Sequence, residues 1–277
     1  MNKSLVSCRW LKEHINDDSL IILDASPKSN LSGLESEFAE KRIKGARSID
    51  IKANFSDKDS EMPNTLLSTE SFQEAVRTLG INNEHTIVVY DNLGIYTSPR
   101  VWWMFKAMGH ENIAVLDGGL PEWVREGNPI EDLSELDITK GNFTAAFDKN
   151  MVKHMSDVVE NVSSKNALVL DARSKGRFDG TAPEPRQGLS SGHIPNSKNL
   201  PFKNVLDDGK MKSSSELKSL FEAKGIGSEP LIFSCGSGLT ACITYLAADI
   251  ALENEKTVYD GSWTEWAQKQ TDLIEQL

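Results

Sequence analysis

One stretch of the chain concentrates residue types that can do covalent chemistry: Cys235-Gly236-Ser237-Gly238-Leu239-Thr240-Ala241. It follows Leu231-Ile232-Phe233, which has the apolar, β-rich character of a strand buried on both faces. It precedes an apolar segment expected to be a helix over Thr240 to Leu252. In an open α/β sheet, ligands sit beyond the carboxyl ends of the strands, where this stretch falls. Gly236 and Gly238 let the backbone curl tightly enough for several N–H groups to converge. The following helix adds the positive end of its dipole. Such a cradle favours an ionised sulfur, the nucleophilic form of cysteine. Ser237 contributes a hydroxyl that can donate to, or accept from, a reacting group. The duller reading of a cysteine, a small buried hydrophobe, suits Cys242 on the helix and Cys8 better than Cys235. A thiol phosphatase would use a similar loop but needs a closing arginine to hold phosphate bidentately. Its spacing puts that arginine at position 241, which is Ala241.

The elements that must position this loop occur twice. Leu20-Ile21-Ile22-Leu23-Asp24-Ala25 matches Ala167-Leu168-Val169-Leu170-Asp171-Ala172, and Ile87-Val88-Val89-Tyr90-Asp91 matches Leu231-Ile232-Phe233-Ser234-Cys235. Asp117-Gly118-Gly119 with Trp123 matches Asp260-Gly261-Ser262 with Trp266. A single long-range repeat means a duplicated domain, whereas a solenoid would show several shorter repeats. Strand, helix and strand alternate in each copy. Ile87 to Tyr90 reads as a strand, Ser98-Pro99 opens a helix that Gly109 stops, and Ile113 to Leu116 is the next strand. The fold class is therefore α/β, each domain a mostly parallel sheet flanked by helices. Domains are expected over 1–130 and 151–277. The polar stretch 131–150 lacks a firm pattern and reads as a linker. Asn54 to Ser68 is a long loop of the kind that often carries function.

The chain has 277 residues, enough for two domains that each bury a core. A net charge of -11 argues against nucleic acid or an anionic membrane surface as partner. An anionic substrate would then need a local pocket of arginines. Three cysteines without a C-x-x-C pair argue against a zinc ribbon and fit a reducing compartment. No metal-ligand spacing is visible, and no cofactor is expected. With no apolar run of signal-peptide or membrane-spanning length, a cytoplasmic location is expected.

Taken together, the loop and its surroundings resemble the rhodanese superfamily, and within it the 3-mercaptopyruvate sulfurtransferases. The resemblance extends over nearly the whole chain. It is carried by Tyr90-Asp91, Ser98-Pro99-Arg100-Val101-Trp102-Trp103, Leu116-Asp117-Gly118-Gly119-Leu120, Asp171-Ala172-Arg173, Gly192-His193-Ile194-Pro195 and Tyr259-Asp260-Gly261-Ser262-Trp263-Thr264-Glu265-Trp266. It implies two rhodanese-like domains, the first without the active cysteine because Asp91 takes its place. It implies Cys235 as the carrier of a persulfide and Ser237 as the loop serine. It also implies Arg177 and Arg186 as the holders of the donor carboxylate, beside the loop residues Gly236, Gly238, Leu239 and Thr240. Guanidinium forks suit the carboxylate of an α-keto acid. The donor would be 3-mercaptopyruvate, with pyruvate released. Thiosulfate is the alternative, although thiosulfate-using relatives place basic residues after the cysteine, where Gly236 and Ser237 stand here. The acceptor would be cyanide or a thiol, a thioredoxin-like protein among them. A non-catalytic interaction module is the reading from another functional class. Where many relatives carry His-Ile-Pro-Gly-Ala in the first domain, this chain has Arg42-Ile43-Lys44-Gly45-Ala46, so a proton relay through that histidine has no counterpart. Arg42 and Lys44 are expected at the surface, and His193 is expected to be structural.

Overall fold

A computed structural model describes residues 4–30 and 32–277. By internal packing the chain divides into two units. The first takes the chain up to Asp57 together with Leu66–Asp148 and Asp208–Met211; the second takes Lys58–Thr65, Lys149–Asp207 and Lys212–Leu277.

The first unit is built on β1 (Leu5–Val6), β2 (Leu20–Asp24), β3 (Arg47–Ser48), β4 (Thr86–Tyr90) and β5 (Ile113–Leu116), in the order β1-β5-β4-β2-β3. The second is built on β6 (Val152–Lys153), β7 (Leu168–Asp171), β8 (Lys198–Asn199), β9 (Leu231–Ser234) and β10 (Lys256–Tyr259), in the order β8-β7-β9-β10-β6. Reversing the first order superposes the two topologies. Every pair within the two sheets runs parallel. The central strands β4 and β9 are buried along almost their whole length, which is why they read as unbroken apolar runs. Ile22, Val88 and Trp123 in one unit, and Val169, Ile232 and Trp266 in the other, occupy the matching core on one sheet face. Burying each aliphatic side chain of this kind contributes about 1.5–3 kcal/mol. No helix among the described residues is long and apolar enough to cross a membrane.

The strand after which each loop begins and the helix into which it runs follow the sequence closely. Pro99 sits in the first turn of Ser98–Ala107, where its missing N–H costs nothing, and Gly109, at φ +82°, turns the chain away from the helix end. In the second unit the helix is Ala241–Ala251.

The stretch 131–150, expected as a linker, is instead largely packed into the first unit. Ile130–Asp132 pairs antiparallel with Lys41–Ile43. Phe143 is buried against Phe72, Phe105 and His110, and its carbonyl accepts from Arg77 Nε at 2.8 Å. Its anchors are single residues on an extended chain, so no periodicity announces them. Arg42 also departs from expectation. It is 4% exposed, with Nε on Glu131 Oε1 at 2.8 Å and its two terminal nitrogens on the Ser134 carbonyl and hydroxyl. It locks the antiparallel pair and is not a surface charge. Lys44 is exposed, as expected.

Two left-handed glycines of the first unit separate conformational strain from close approach. Gly119 has φ +55°, and a Cβ there would lie 2.3 Å from the carbonyl oxygens of both Asp91 and Gly94. Gly45 has φ +74° and open space around it. Gly45→Ala is expected to cost about 1–2 kcal/mol of unfolding free energy, the strain of a left-handed residue alone. Gly119→Ala is expected to exceed it by at least about 2 kcal/mol, because backbone must move. Denaturant unfolding of the two variants checks the difference, and equal costs would contradict it.

Candidate active site

The second unit's loop begins at Cys235, directly after β9, and ends at Thr240, which caps the helix Ala241–Ala251. Gly238 turns it through φ +75°. Two loop amides are claimed by one hydroxyl: Cys235 N–H and Gly238 N–H donate to Ser262 Oγ at 3.2 and 3.1 Å, and Ser262 Oγ–H donates to the Tyr259 carbonyl at 2.8 Å. Ser262 is fully buried and holds φ +50°, a conformation that L residues adopt only when their surroundings require it. Among the described residues, no protein acceptor takes the amides of Gly236, Ser237, Leu239 or Thr240. These sit at the positive end of the helix dipole. The opposite edge of the loop is tied to the next helix: Cys235 O accepts from Trp263 N–H at 2.9 Å, and Gly236 O from the Thr264 amide and hydroxyl at 3.0 and 2.5 Å.

The corresponding loop of the first unit shows what such a cradle attracts. Asp91, fully buried, accepts from the amides of Leu93, Tyr96, Thr97 and Ser98 at 2.9–3.0 Å and from the Ser98 hydroxyl at 2.7 Å. Burial pushes its carboxyl pKa up, and these donors pull against that shift. The first unit thus supplies its loop with a carboxyl acceptor of its own. The partner position to Ser262 is Gly119, where any side chain would strike the loop carbonyls.

Cys235 is 1% exposed, so the sulfur lies beneath the loop surface. Its surroundings on the loop side are nevertheless polar. A Cβ on Gly236 would lie 3.1 Å from Arg177 Nη2 and 3.7 Å from Arg186 Nη1, which places both guanidinium groups against the residue after the cysteine. Glycine at 236 leaves Arg177 Nη2 uncrowded at this distance. Arg177, on the short helix Lys175–Asp179, donates through Nε and Nη2 to the two oxygens of Glu184 at 3.0 and 2.5 Å. Glu184 in turn binds Arg173 Nη1 at 2.8 Å. Arg173, fully buried, forks onto Asp171, donates to the Gly192 carbonyl and lies over the Trp263 ring at 4.0 Å. Arg186 Nη1 donates to Thr264 Oγ1 at 3.3 Å. The charges Asp171, Arg173, Glu184 and Arg177 alternate, which allows the side chains of the first three to be buried while Arg177 stays half-buried, and Arg186 adds one further positive charge.

The structure therefore brings Cys235, Gly236, Ser237, Gly238, Leu239, Thr240, Arg177 and Arg186 into one locality. Cys242 is fully buried on the helix, with its thiol on the Gly238 carbonyl at 3.4 Å. Cys8 is 1% exposed, and burial, ahead of the nearby acidic residues, pushes its thiol up to about 12. His193 is buried, stacked on Phe178 at 4.1 Å with Nδ1 at 2.9 Å from the Phe178 carbonyl, a structural role. The sequence did not single out Ser262, Thr264 or Glu184. Only Ser262 left a signal, since it interrupts the Gly-Gly to Gly-Ser match of the repeat. Among the described residues, no group of three His, Cys, Asp or Glu could hold a metal ion.

The family model for the rhodanese-like domain matches the chain twice, over residues 7–126 and 154–269. The 3-mercaptopyruvate sulfurtransferase of Mus musculus is 39% identical over 275 residues, 95% of this chain and 92% of that one. The thiosulfate sulfurtransferase of Cricetulus griseus is 41% identical over 274 residues, again 95% and 92%. Among solved structures, SseA from Escherichia coli, presented as a 3-mercaptopyruvate sulfotransferase with the rhodanese fold, aligns with a TM-score of 0.83 at 34% identity, over 95% of this chain and 99% of that one. Two matched domains, full-length relatives and a shared strand order all lead to one assignment: the chain belongs to the rhodanese family, as a member with two rhodanese-like domains.

Proposed function

We propose that this protein is a sulfurtransferase that takes sulfur from 3-mercaptopyruvate onto Cys235 and passes it to a thiol or cyanide. The observation that carries the reading is the meeting of two guanidinium groups with the glycine loop that opens at Cys235, four of whose amides have no protein acceptor among the described residues. The donor carboxylate binds Arg177 and Arg186. The Cys235 thiolate attacks the donor sulfur; the S–S bond forms as the C–S bond breaks, and its electron pair enters the α-keto system as an enolate. The thiol proton stays with the persulfide, and the enolate takes a proton to become pyruvate. Amide hydrogens of the loop and the Ser237 hydroxyl offset the developing negative charge. The acceptor thiolate or cyanide then attacks the outer sulfur and regenerates the Cys235 thiolate. The two rhodanese-like domains divide this work unequally: in the first, Asp91 occupies the cradle and no sulfur is carried. Thioredoxin-like proteins fit as acceptors because they present a reactive thiolate.

Thiosulfate is a second reading, favoured by relatives of the same family that bear that name at 41% identity. Against it, no basic residue follows Cys235 in the loop. The ratio of kcat/KM for the two donors separates the readings.

Incubation with 3-mercaptopyruvate and no acceptor is expected to add one sulfur atom to Cys235, read by mass, and Cys235→Ser should gain none. Equal gain by both would remove Cys235 from its role. Arg186→Ala is expected to raise KM for mercaptopyruvate about tenfold or more, as loss of a charge-assisted contact does. Arg177→Ala should do the same and also lower Tm, since it leaves Glu184 with one partner fewer. Ser262→Ala removes the shared acceptor of two loop amides while keeping the left-handed strain. It should slow persulfide formation by about tenfold or more in single-turnover kinetics, and an unchanged rate would show that the loop holds itself.

A further inference from the structure

The long loop read from the sequence between Asn54 and Ser68 contributes Lys58–Thr65 to the second unit. This segment braces itself. Thr65 Oγ1–H donates to the Met62 carbonyl at 2.9 Å, Ser60 Oγ lies 2.7 Å from Thr65 Oγ1, and Met62 N–H donates to Ser60 Oγ at 3.1 Å. The turn presents Asn64, 6% exposed and at φ +61°, a left-handed conformation that asparagine tolerates better than most residues. Asn64 Nδ2 donates to the Ser237 carbonyl at 3.1 Å and to Ser237 Oγ at 3.0 Å.

The carbonyl decides the chemistry of this contact. A carbonyl oxygen only accepts, so the nitrogen end of the Asn64 amide must face Ser237. The same NH2 then makes Ser237 Oγ an acceptor, which leaves the hydroxyl proton to be donated elsewhere. Among the described residues no acceptor takes it. We propose that Asn64 is a positioning residue that sets the Ser237 hydroxyl as a hydrogen-bond donor to the group reacting above the loop. The proposal rests on the sulfurtransferase reading of that loop. Charge grows on the carbonyl oxygen of mercaptopyruvate only as the C–S bond breaks. A hydroxyl oriented as a donor therefore contributes more to the transition state than to donor binding. Asn64 should accordingly act on kcat, while KM is set by Arg177 and Arg186.

The test uses the full chain, pyruvate release from 3-mercaptopyruvate with cyanide as acceptor, and four variants. Asn64→Gly keeps the left-handed backbone and deletes the amide. It should lower kcat about tenfold and leave KM within about threefold. Combined with Ser237→Ala it should add less than about twofold to the loss from Ser237→Ala alone, because both act through one hydroxyl. Asn64→Asp is isosteric. Ionised, it accepts the Ser237 proton and faces the Ser237 carbonyl with a like partial charge. Its kcat relative to wild type should therefore fall more than that of Asn64→Gly at alkaline pH and recover as pH drops and the new carboxyl protonates. Wild-type kcat with Asn64→Gly, full multiplication of the losses in the double variant, or a pH-independent ratio for Asn64→Asp each overturns the inference. If wild type itself takes no sulfur onto Cys235, the sulfurtransferase reading fails and this inference goes with it. If wild type is competent and Asn64→Gly equals it, only the inference fails.

Discussion

A tight loop from a buried parallel strand into a helix leaves amide hydrogens pointing at one spot, and amide hydrogens out of water need an acceptor. Both units of this protein contain that loop, and they meet its demand in different ways. The first inserts the Asp91 carboxylate and uses five donors on it. The second has Cys235 at the matching position and assigns two amides to the Ser262 hydroxyl, and among the described residues no protein acceptor takes the amides of Gly236, Ser237, Leu239 or Thr240. A carboxylate saturates the cradle. A neutral hydroxyl claims part of it and keeps its positive potential available. The two copies of the loop differ in which acceptor fills them.

The arginines extend the same logic. The chain is acidic, so an anionic donor needs positive potential concentrated in one place. Two carboxylates, Asp171 and Glu184, are set against three guanidinium groups, Arg173, Arg177 and Arg186. The paired members fix one another's geometry. Arg173 bonds Asp171, Glu184 and the Gly192 carbonyl, and through Glu184 it constrains where the Arg177 fork lies. Breaking such a buried pair costs about 3–5 kcal/mol when one partner is left alone, which makes the arrangement stiff as well as charged. Gly236 lies beside both groups: a Cβ there would crowd Arg177 Nη2 at 3.1 Å and only touch Arg186 Nη1 at 3.7 Å.

Much of this was legible in the chain order. The repeat, the parallel sheets, the loop after β9 and the two arginines all have sequence signals, since strands buried on both faces leave apolar runs and tight turns leave glycines. The misreadings share a cause. Residues 131–150 read as a linker because an extended segment anchored by Phe143 and a few backbone bonds has no period to detect. Arg42 read as a surface charge because its partners, Glu131 and Ser134, lie about 90 residues away in sequence. Ser262 and Asn64 went unmarked because each acts from a left-handed backbone, a property of the folded environment and not of the residue type.

By itself, the sequence determined what is local or repeated: which segments are strands, where the chain must turn, that Cys235 opens a glycine loop, and that Asp91 stands in its place in the other copy. These follow from side-chain volume, polarity and backbone freedom over a few residues. Only the tertiary structure decided which loop amides Ser262 takes, how Glu184 pairs with Arg177, and that Asn64 donates to Ser237 across 173 positions of sequence. Hydrogen-bond direction and charge pairing depend on distances of a few ångströms between residues remote in the chain, and such distances exist only after the sheets have packed.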